Sequence, residues 1–305
     1  MISQKLFILR HLRSTKAIFI SFGGYWALVP TMMGKIMGIP VYIILNGTDC
    51  ASIPSLHYGN LRKPLLKAIC GFCYRHASML LPVSDSLISI KNTFYSSSDE
   101  KEYFQGYRHF FPAIQTKNKT IYNGFDASLW HKLPEIEKEK NSFIAVFSPK
   151  QYILKGGDLI TQVAKQNPNY KFYIAGCTQP STVDKNSNVI FLGRLTSEEL
   201  RQYYSKCQFI LQLSIFEGFG CSLCEAMLCE CIPIGSSVNM IPEIIGDAGF
   251  VVNERNAEQV EKAILSAIAI EDKTKLGKMA RQRITENYSL EKRTFSLLET
   301  INNKN

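Results

Sequence analysis

Two doubly wound α/β domains in succession are the fold class the sequence predicts, and three observations predict it. Short apolar runs rich in β-branched and aromatic residues alternate with helix-forming segments. The alternation stops at one charged, proline-bearing stretch and starts afresh beyond it. A length of 305 residues suffices for two domains of ordinary size, and 46% hydrophobic with 20% charged residues is a globular composition that buries a core unaided.

The elements of the first half follow in order. Residues 17–21 (AIFIS) and 41–45 (VYIIL) read as buried strands. Between them 26–37 has helix-forming composition, with Gly38, Ile39 and Pro40 as its stop. Residues 79–83 (MLLPV) form a third strand, with Ser84 and Asp85 as caps for a helix over 86–91. Residues 120–122 lead into a turn at Asn123 and Gly124. The segment 95–108 mixes aromatic and charged residues and reads as a surface loop that could touch a lipid-linked partner.

The stretch 133–141 (LPEIEKEKN) has no buried face and reads as a linker, placed at 135–141. It separates a first domain over 1–134 from a second over 142–287, and 288–305 is read as a helix packing back on the first domain. In the second domain the predicted strands are 143–147, 171–175, 189–192, 209–213, 232–234 and 249–252. The predicted helices are 158–166, 198–206, 222–229 and 257–270, followed by 273–287 and 290–301.

Charge is unevenly spread. Residues 1–134 carry 15 Lys and Arg against 6 Asp and Glu, whereas 135–305 carry 20 against 20. A basic first half attracts phosphates or an anionic membrane face over about a Debye length, roughly 8 Å at physiological salt. No apolar run approaches the ~20 residues that span a bilayer. Nine cysteines, an odd number, without a leader-like N-terminal pattern, point to reduced thiols and a cytoplasmic setting.

The chemistry concentrates in 214–252 (SIFEGFGCSLCEAMLCECIPIGSSVNMIPEIIGDAGFVV). A strand ends near Ser214, a loop carries Glu217, Gly218, Phe219 and Gly220, and a helix starts at Cys221 or Ser222. Two glycines let backbone come close to a ligand, and a helix start offers free N–H groups and the positive dipole end to a phosphate. Glu225 falls about one turn into that helix. Two carboxylates flanking an anion site suit hydroxyl groups on either side of a diphosphate.

This segment resembles the donor signature of the retaining glycosyltransferases of family 4, the glycosyl transferases group 1, in which two glutamates are separated by seven residues within E-G-F-G-x-x-x-x-E-A-M. Glu217 and Glu225 have that spacing, and Pro242-Glu243 and Asp247-Ala248-Gly249 follow as the family's pattern does. Lys155-Gly156-Gly157 is similar to the family's Lys-Gly element. Lys150, five residues earlier, stands where an arginine is usual, keeping the charge but not the planar fork. Residues 189–195 (VIFLGRL), with Arg194, resemble the strand flanking the nucleotide base. In the first half 81–84 (LPVS), 121–126 (IYNGFD) and the Asn46-Gly47-Thr48-Asp49 turn are similar to the acceptor domain.

The resemblance implies a GT-B fold: two Rossmann-like domains facing across a cleft, the first starting too late to contain the family's N-terminal strand and so read as truncated. It implies a nucleotide diphosphate sugar donor and a glycan or lipid-linked acceptor, in cell-surface polysaccharide or glycolipid synthesis, and the basic first half fits an acceptor at the cytoplasmic membrane face. Glu217 would be the catalytic residue contacting the transferred sugar, and Glu225 would hold the ribose. Lys150, Lys155, Gly218, Phe219 and Gly220 would hold the diphosphate, Arg194 would flank the base, and Asp49 would line the acceptor side. With Asn46 where a histidine is common, no general base is named. No cofactor or obligatory metal and no nucleic acid partner is implied. Cys70-x-x-Cys73 and Cys221-x-x-Cys224 have half-zinc-site spacing but sit where small packed residues belong. Two other classes compete: a catalytically impaired nucleotide-sugar-binding protein, and a GT-B-fold nucleotide-sugar epimerase, which would need no acceptor.

Overall fold

The computed structural model describes residues 15–95, 103–180 and 188–302. The chain divides into two compact units. One comprises 1–92, 102–122 and 296–305, and the other 93–101 and 123–295.

In the first unit, β1 (Ile18–Ser21), helix α1 (Tyr25–Met37), β2 (Val41–Leu45) and β3 (Met79–Pro82) form where the sequence predicts them, and helix α2 (Pro64–His76) stands between β2 and β3 where no element is predicted. The strands pair in parallel in the order β1-β2-β3, with Ile43 opposite Ile20 on one side and Leu80 on the other. Tyr42, Leu81 and Ile121 form a buried cluster against which Leu297 packs. Lys119 reaches Glu299 at 2.6 Å, and Tyr42 Oη donates to the Thr300 carbonyl at 3.4 Å. Residues from Ser296 onward group with the first unit, whereas 288–295 group with the second.

The expected helix over 86–91 does not form. A 3-10 turn over Asp85–Leu87 gives way to β4 (Ile90–Asn92), which pairs antiparallel with β5 (Tyr103–Gln105) ahead of the short helix α3 (Tyr107–Phe110). Six residues are too few to offset helix nucleation, and a partner strand supplies the backbone bonds instead. Gln105 adds a side-chain bracket, accepting from Ser52 N at 2.8 Å and donating to Ser52 O at 3.0 Å. Residues 96–102 of the expected surface loop lie outside the described residues.

The second unit runs β6 (Glu139–Val146), α4 (Gly157–Gln166), β7 (Lys171–Ala175), β8 (Val189–Gly193), α5 (Ser197–Lys206), β9 (Cys207–Gln212) and α6 (Cys221–Leu228). It continues through β10 (Ile232–Ser236), α7 (Ile241–Ile245), β11 (Phe250–Val252), α8 (Ala257–Ala269), α9 (Lys273–Asn287) and α10 (Leu290–Asn302). Its six strands are parallel in the order β11-β10-β9-β6-β7-β8. Phe143 on β6 stacks at 4.9 Å on both Phe172 of β7 and Phe209 of β9, an aromatic row across the middle of the sheet. Successive strands step one way from β6 to β8 and the other way from β9 to β11, so the order reverses between β6 and β9. In open α/β sheets ligands bind outside the carboxyl ends of the strands at such a switch point.

The segment 135–141 is no free linker. Its last residues open β6, and Lys138 Nζ donates to the carbonyls of Tyr204, Cys207 and Cys229 at 2.8, 2.8 and 2.9 Å. The boundary falls instead at Tyr122 and Asn123, because Phe125 N donates to the Tyr288 carbonyl at 2.9 Å and Leu290 N to the Phe125 carbonyl at 3.1 Å. No helix of the described residues is long and apolar enough to cross a membrane.

Asp49, expected to line the acceptor side, is fully buried. Its carboxylate accepts from the backbone N–H of Gly23 at 2.8 Å, Asn46 at 3.1 Å and Gly47 at 3.0 Å. Burial raises its carboxyl above the ordinary range even against those amides. It therefore ties the turn after β1 to the turn after β2 and offers no surface to a ligand. Asp49→Ala leaves three amides without their acceptor and should cost about 2–4 kcal/mol. Urea denaturation checks this, and an unchanged midpoint would show that water replaces the carboxylate.

Candidate functional site

Two loops follow the two strands that flank the switch point. The loop after β6 carries Lys150 and Lys155 into α4, and the loop after β9 carries Ser214 and Glu217 into α6. Ile215 N donates to the Leu154 carbonyl at 2.8 Å, which fastens the loops side by side. Gly156 seals the junction. Its φ is +76°, and a Cβ there would stand 2.6 Å from both Cβ and O of Leu213. Strand adjacency thus explains how residues 62 positions apart become neighbours.

Lys155 Nζ forms an ion pair with Glu217 Oε2, and both side chains are mostly buried, 13% and 14% exposed. The same Oε2 accepts from Gln212 Nε2 at 2.7 Å and from Ser214 Oγ at 3.3 Å. Glu217 N donates to Asn239 Oδ1 at 3.1 Å, so the loop after β10 also supports this residue. A bare carboxylate about 4 Å from a phosphate oxygen would cost ~4 kcal/mol per charge pair at an effective dielectric near 20. Lys155 cancels most of that. The result is a carboxylate that an anionic ligand tolerates and that keeps acceptor capacity for a hydroxyl.

Gly220, with φ +110°, caps α6 in a backbone conformation that a side chain would strain. Gly218 and Phe219 are buried beside it, and the Phe219 ring packs on Phe125 at 6.0 Å and Tyr288 at 5.4 Å. The first-turn N–H groups of α6 and its dipole make this helix start attractive to an anion. Glu225 follows on the same helix, half-buried, and burial pushes its carboxyl up to about 7. Cys221 is exposed as a residue, yet desolvation of its sulfur and the neighbouring Glu217 and Glu225 push its thiol up to about 12. It is therefore no thiolate at neutral pH.

The structure brings Glu217, Lys155, Gly218, Phe219 and Gly220 into one place at the start of the helix that carries Glu225. Lys150 is exposed in the 3-10 turn Pro149–Gln151, and Arg194 is exposed just after β8. Neither makes a hydrogen bond or ion pair to Glu217 or Lys155 among the described residues. Asp49 belongs to the other unit. Among the described residues no group of three or more His, Cys, Asp or Glu is placed to hold a metal. Sequence reasoning missed Gln212, Ser214, Ser222 and Asn239. A polar residue inside the apolar run 209–213 was the one available signal for Gln212.

The elevated Glu225 carboxyl has a stability consequence. The unfolded chain loses this proton near pH 4.5, and the folded chain keeps it to about 7. Stability should therefore fall as pH rises through that window and level off above it. Glu225→Gln removes the term, so its advantage over wild type should grow by about 2–3 kcal/mol between about pH 5 and pH 8. Urea unfolding at both pH values measures the gap, and a constant gap would mean the carboxyl is solvated.

Comparison with known proteins places this geometry. The family model described as glycosyl transferases group 1 matches residues 130–287, just over half of the chain. The serotype-specific mannosyltransferase WbdA of Escherichia coli is 27% identical over 119 residues, a match that spans 35% of this chain and 15% of that protein. The uncharacterized glycosyltransferase MJ1178 of Methanocaldococcus jannaschii is 25% identical over 274 residues, 87% of this chain and 68% of that one. Among solved structures, sucrose-phosphate synthase of Thermosynechococcus elongatus superposes with a TM-score of 0.75 at 15% identity, covering 96% of this chain and 75% of its own. Anabaena Alr3699/HepE in complex with UDP and glucose gives 0.70 at 17% identity, covering 93% and 77%. These likenesses establish the GT-B fold expected from the sequence, and with the matched donor segment they settle the family: the chain belongs to the glycosyl transferases group 1.

Proposed function

We propose that this chain is a retaining glycosyltransferase that moves a sugar from a nucleotide diphosphate sugar to a glycan or lipid-linked acceptor in cell-surface polysaccharide or glycolipid synthesis. The observation that carries the proposal is the Lys155–Glu217 pair at the switch point of the second unit, directly before the N-terminus of α6. UDP and glucose in the HepE complex, and the mannosyltransferase relatives, support a nucleotide-sugar donor.

In this reading the diphosphate lies at the start of α6, on the Gly218–Gly220 backbone, with Lys155 and the exposed Lys150 as counter-charges. Glu217 faces the transferred sugar, Glu225 accepts ribose hydroxyls, and Arg194 flanks the base. Catalysis comes from positioning and from charge stabilisation of an oxocarbenium-like state and the departing diphosphate. The diphosphate takes the acceptor's proton on the face it leaves, which gives retention without a protein base and without an obligatory metal. The acceptor belongs to the basic first unit. There the first turn of α1 exposes Tyr25 and Trp26, and Trp26 Nε1 is anchored to the carbonyls of Ser21 and Phe22 at 3.2 and 3.1 Å. Fixed aromatic faces of this kind suit stacking on a sugar ring. The basic charge suits the cytoplasmic face of an anionic membrane.

Calorimetric titration with a panel of nucleotide sugars, paired with a transfer assay, tests the reading. One donor should bind, with Glu225→Ala weakening it about tenfold or more through loss of a charged hydrogen bond. Glu217→Gln should lower turnover about 10²-fold with little change in donor affinity. Donor interconversion without any acceptor, or binding that ignores Glu225, would contradict it.

A further inference from the structure

We infer that Gln212 is a positioning residue that locks the Glu217 carboxylate in its working orientation, an inference that rests on the reading of Glu217 as the group facing the transferred sugar. Gln212 ends β9 and is 3% exposed. Its Nε2 donates to Glu217 Oε2 at 2.7 Å and to Ser214 Oγ at 2.8 Å, and its Oε1 accepts from Ser222 Oγ at 3.0 Å. Its backbone carbonyl accepts from Ser236 Oγ at 3.3 Å. The amide orientation is fixed by this network, because a flip would set Oε1 against a carboxylate oxygen and strand the Ser222 hydroxyl.

Three features separate this side chain from an ordinary buried polar residue. A leucine would fill the same space in the apolar strand but leave Ser222 Oγ and Glu217 Oε2 short of a partner, so the glutamine is specified by the Glu217 neighbourhood and not by the strand. The side-chain donors converge on Oε2 (Lys155, Gln212 and Ser214), so the bonds that orient the carboxylate leave Oε1 for a ligand hydroxyl. Finally, Lys155 is a point charge on a flexible stem, drawn toward any diphosphate that arrives. The amide of Gln212, clamped between β9 and the first turn of α6, is the donor that stays when Lys155 is shared with the phosphates.

The test compares Gln212→Leu and Gln212→Glu with wild type in donor titration, in transfer kinetics between about pH 6 and pH 8, and by crystallography. Gln212→Leu should fold, bind donor within about threefold of wild type and lose turnover about 10–100-fold at every pH, since a transition-state contact is misplaced and ground-state binding is not. In Gln212→Glu the introduced carboxyl can donate only while protonated, and when ionised it repels Glu217. Its activity relative to wild type should therefore climb as pH falls. Lys155, Glu225, Cys221 and Cys224 also lie around Glu217, but they are common to both proteins and cancel in that ratio. The crystal structure of Gln212→Leu should show the Glu217 carboxylate spread over more than one rotamer. A single unchanged rotamer, turnover equal to wild type, or an equal pH dependence of both variants would overturn the role. A wild type that neither binds donor nor transfers sugar would refute the transfer reading instead, and the rotamer comparison would still decide whether Gln212 holds Glu217.

Discussion

Glu217 is held from four parts of one sheet, and three of them reach its carboxylate. Lys155 from the loop after β6, Gln212 from the end of β9 and Ser214 from the loop beyond it donate to the carboxylate, while Asn239 from the loop after β10 accepts from the backbone N–H. Ionised carboxylates are expensive to bury, and two mostly buried partners of opposite charge are tolerated only where further hydrogen bonds complete the set. That requirement shapes the neighbourhood. Gly156 lets the β6 loop lie against Leu213, Ile215 ties to Leu154, and Gly220 turns the chain directly into α6. The helix start and the paired carboxylate are thereby fixed relative to each other by backbone contacts.

The sheet order makes this possible. Because strand order reverses between β6 and β9, the loops leaving their carboxyl ends are adjacent. The aromatic row Phe172, Phe143 and Phe209 crosses three neighbouring strands of the sheet on which the site stands. The first unit uses its own buried carboxylate differently. Asp49 is satisfied by three backbone amides and braces loops, whereas Glu217 is satisfied through one oxygen only by side chains. The contrast explains why the same residue class serves architecture in one unit and is assigned chemistry in the other.

Most of the fold was legible in the sequence, because apolar runs and glycine stops are local signals. Strand 171–175, a short apolar run opening on Lys171, and helix 273–287 were read to the residue. Glu217, Glu225 and the Lys155 element were singled out through their resemblance to the family's motif. The pairing of Lys155 with Glu217 was not, because it depends on strand order. Gln212 was hidden for a related reason: one polar residue does not break a strand pattern, and its partners Ser214 and Ser222 matter only once the loop folds back. The hairpin over β4 and β5 and the packed path of 123–138 arise from tertiary pairing that outweighs local preference.

The most direct measurement is a crystal structure of this chain with a non-hydrolysable analogue of whichever nucleotide diphosphate sugar it binds. The account predicts the diphosphate at the N–H groups that open α6, Lys155 within reach of a phosphate oxygen, the sugar against Glu217 and the ribose hydroxyls on Glu225. A nucleotide bound elsewhere, or bound in the reverse sense with its ribose on Glu217, would contradict it.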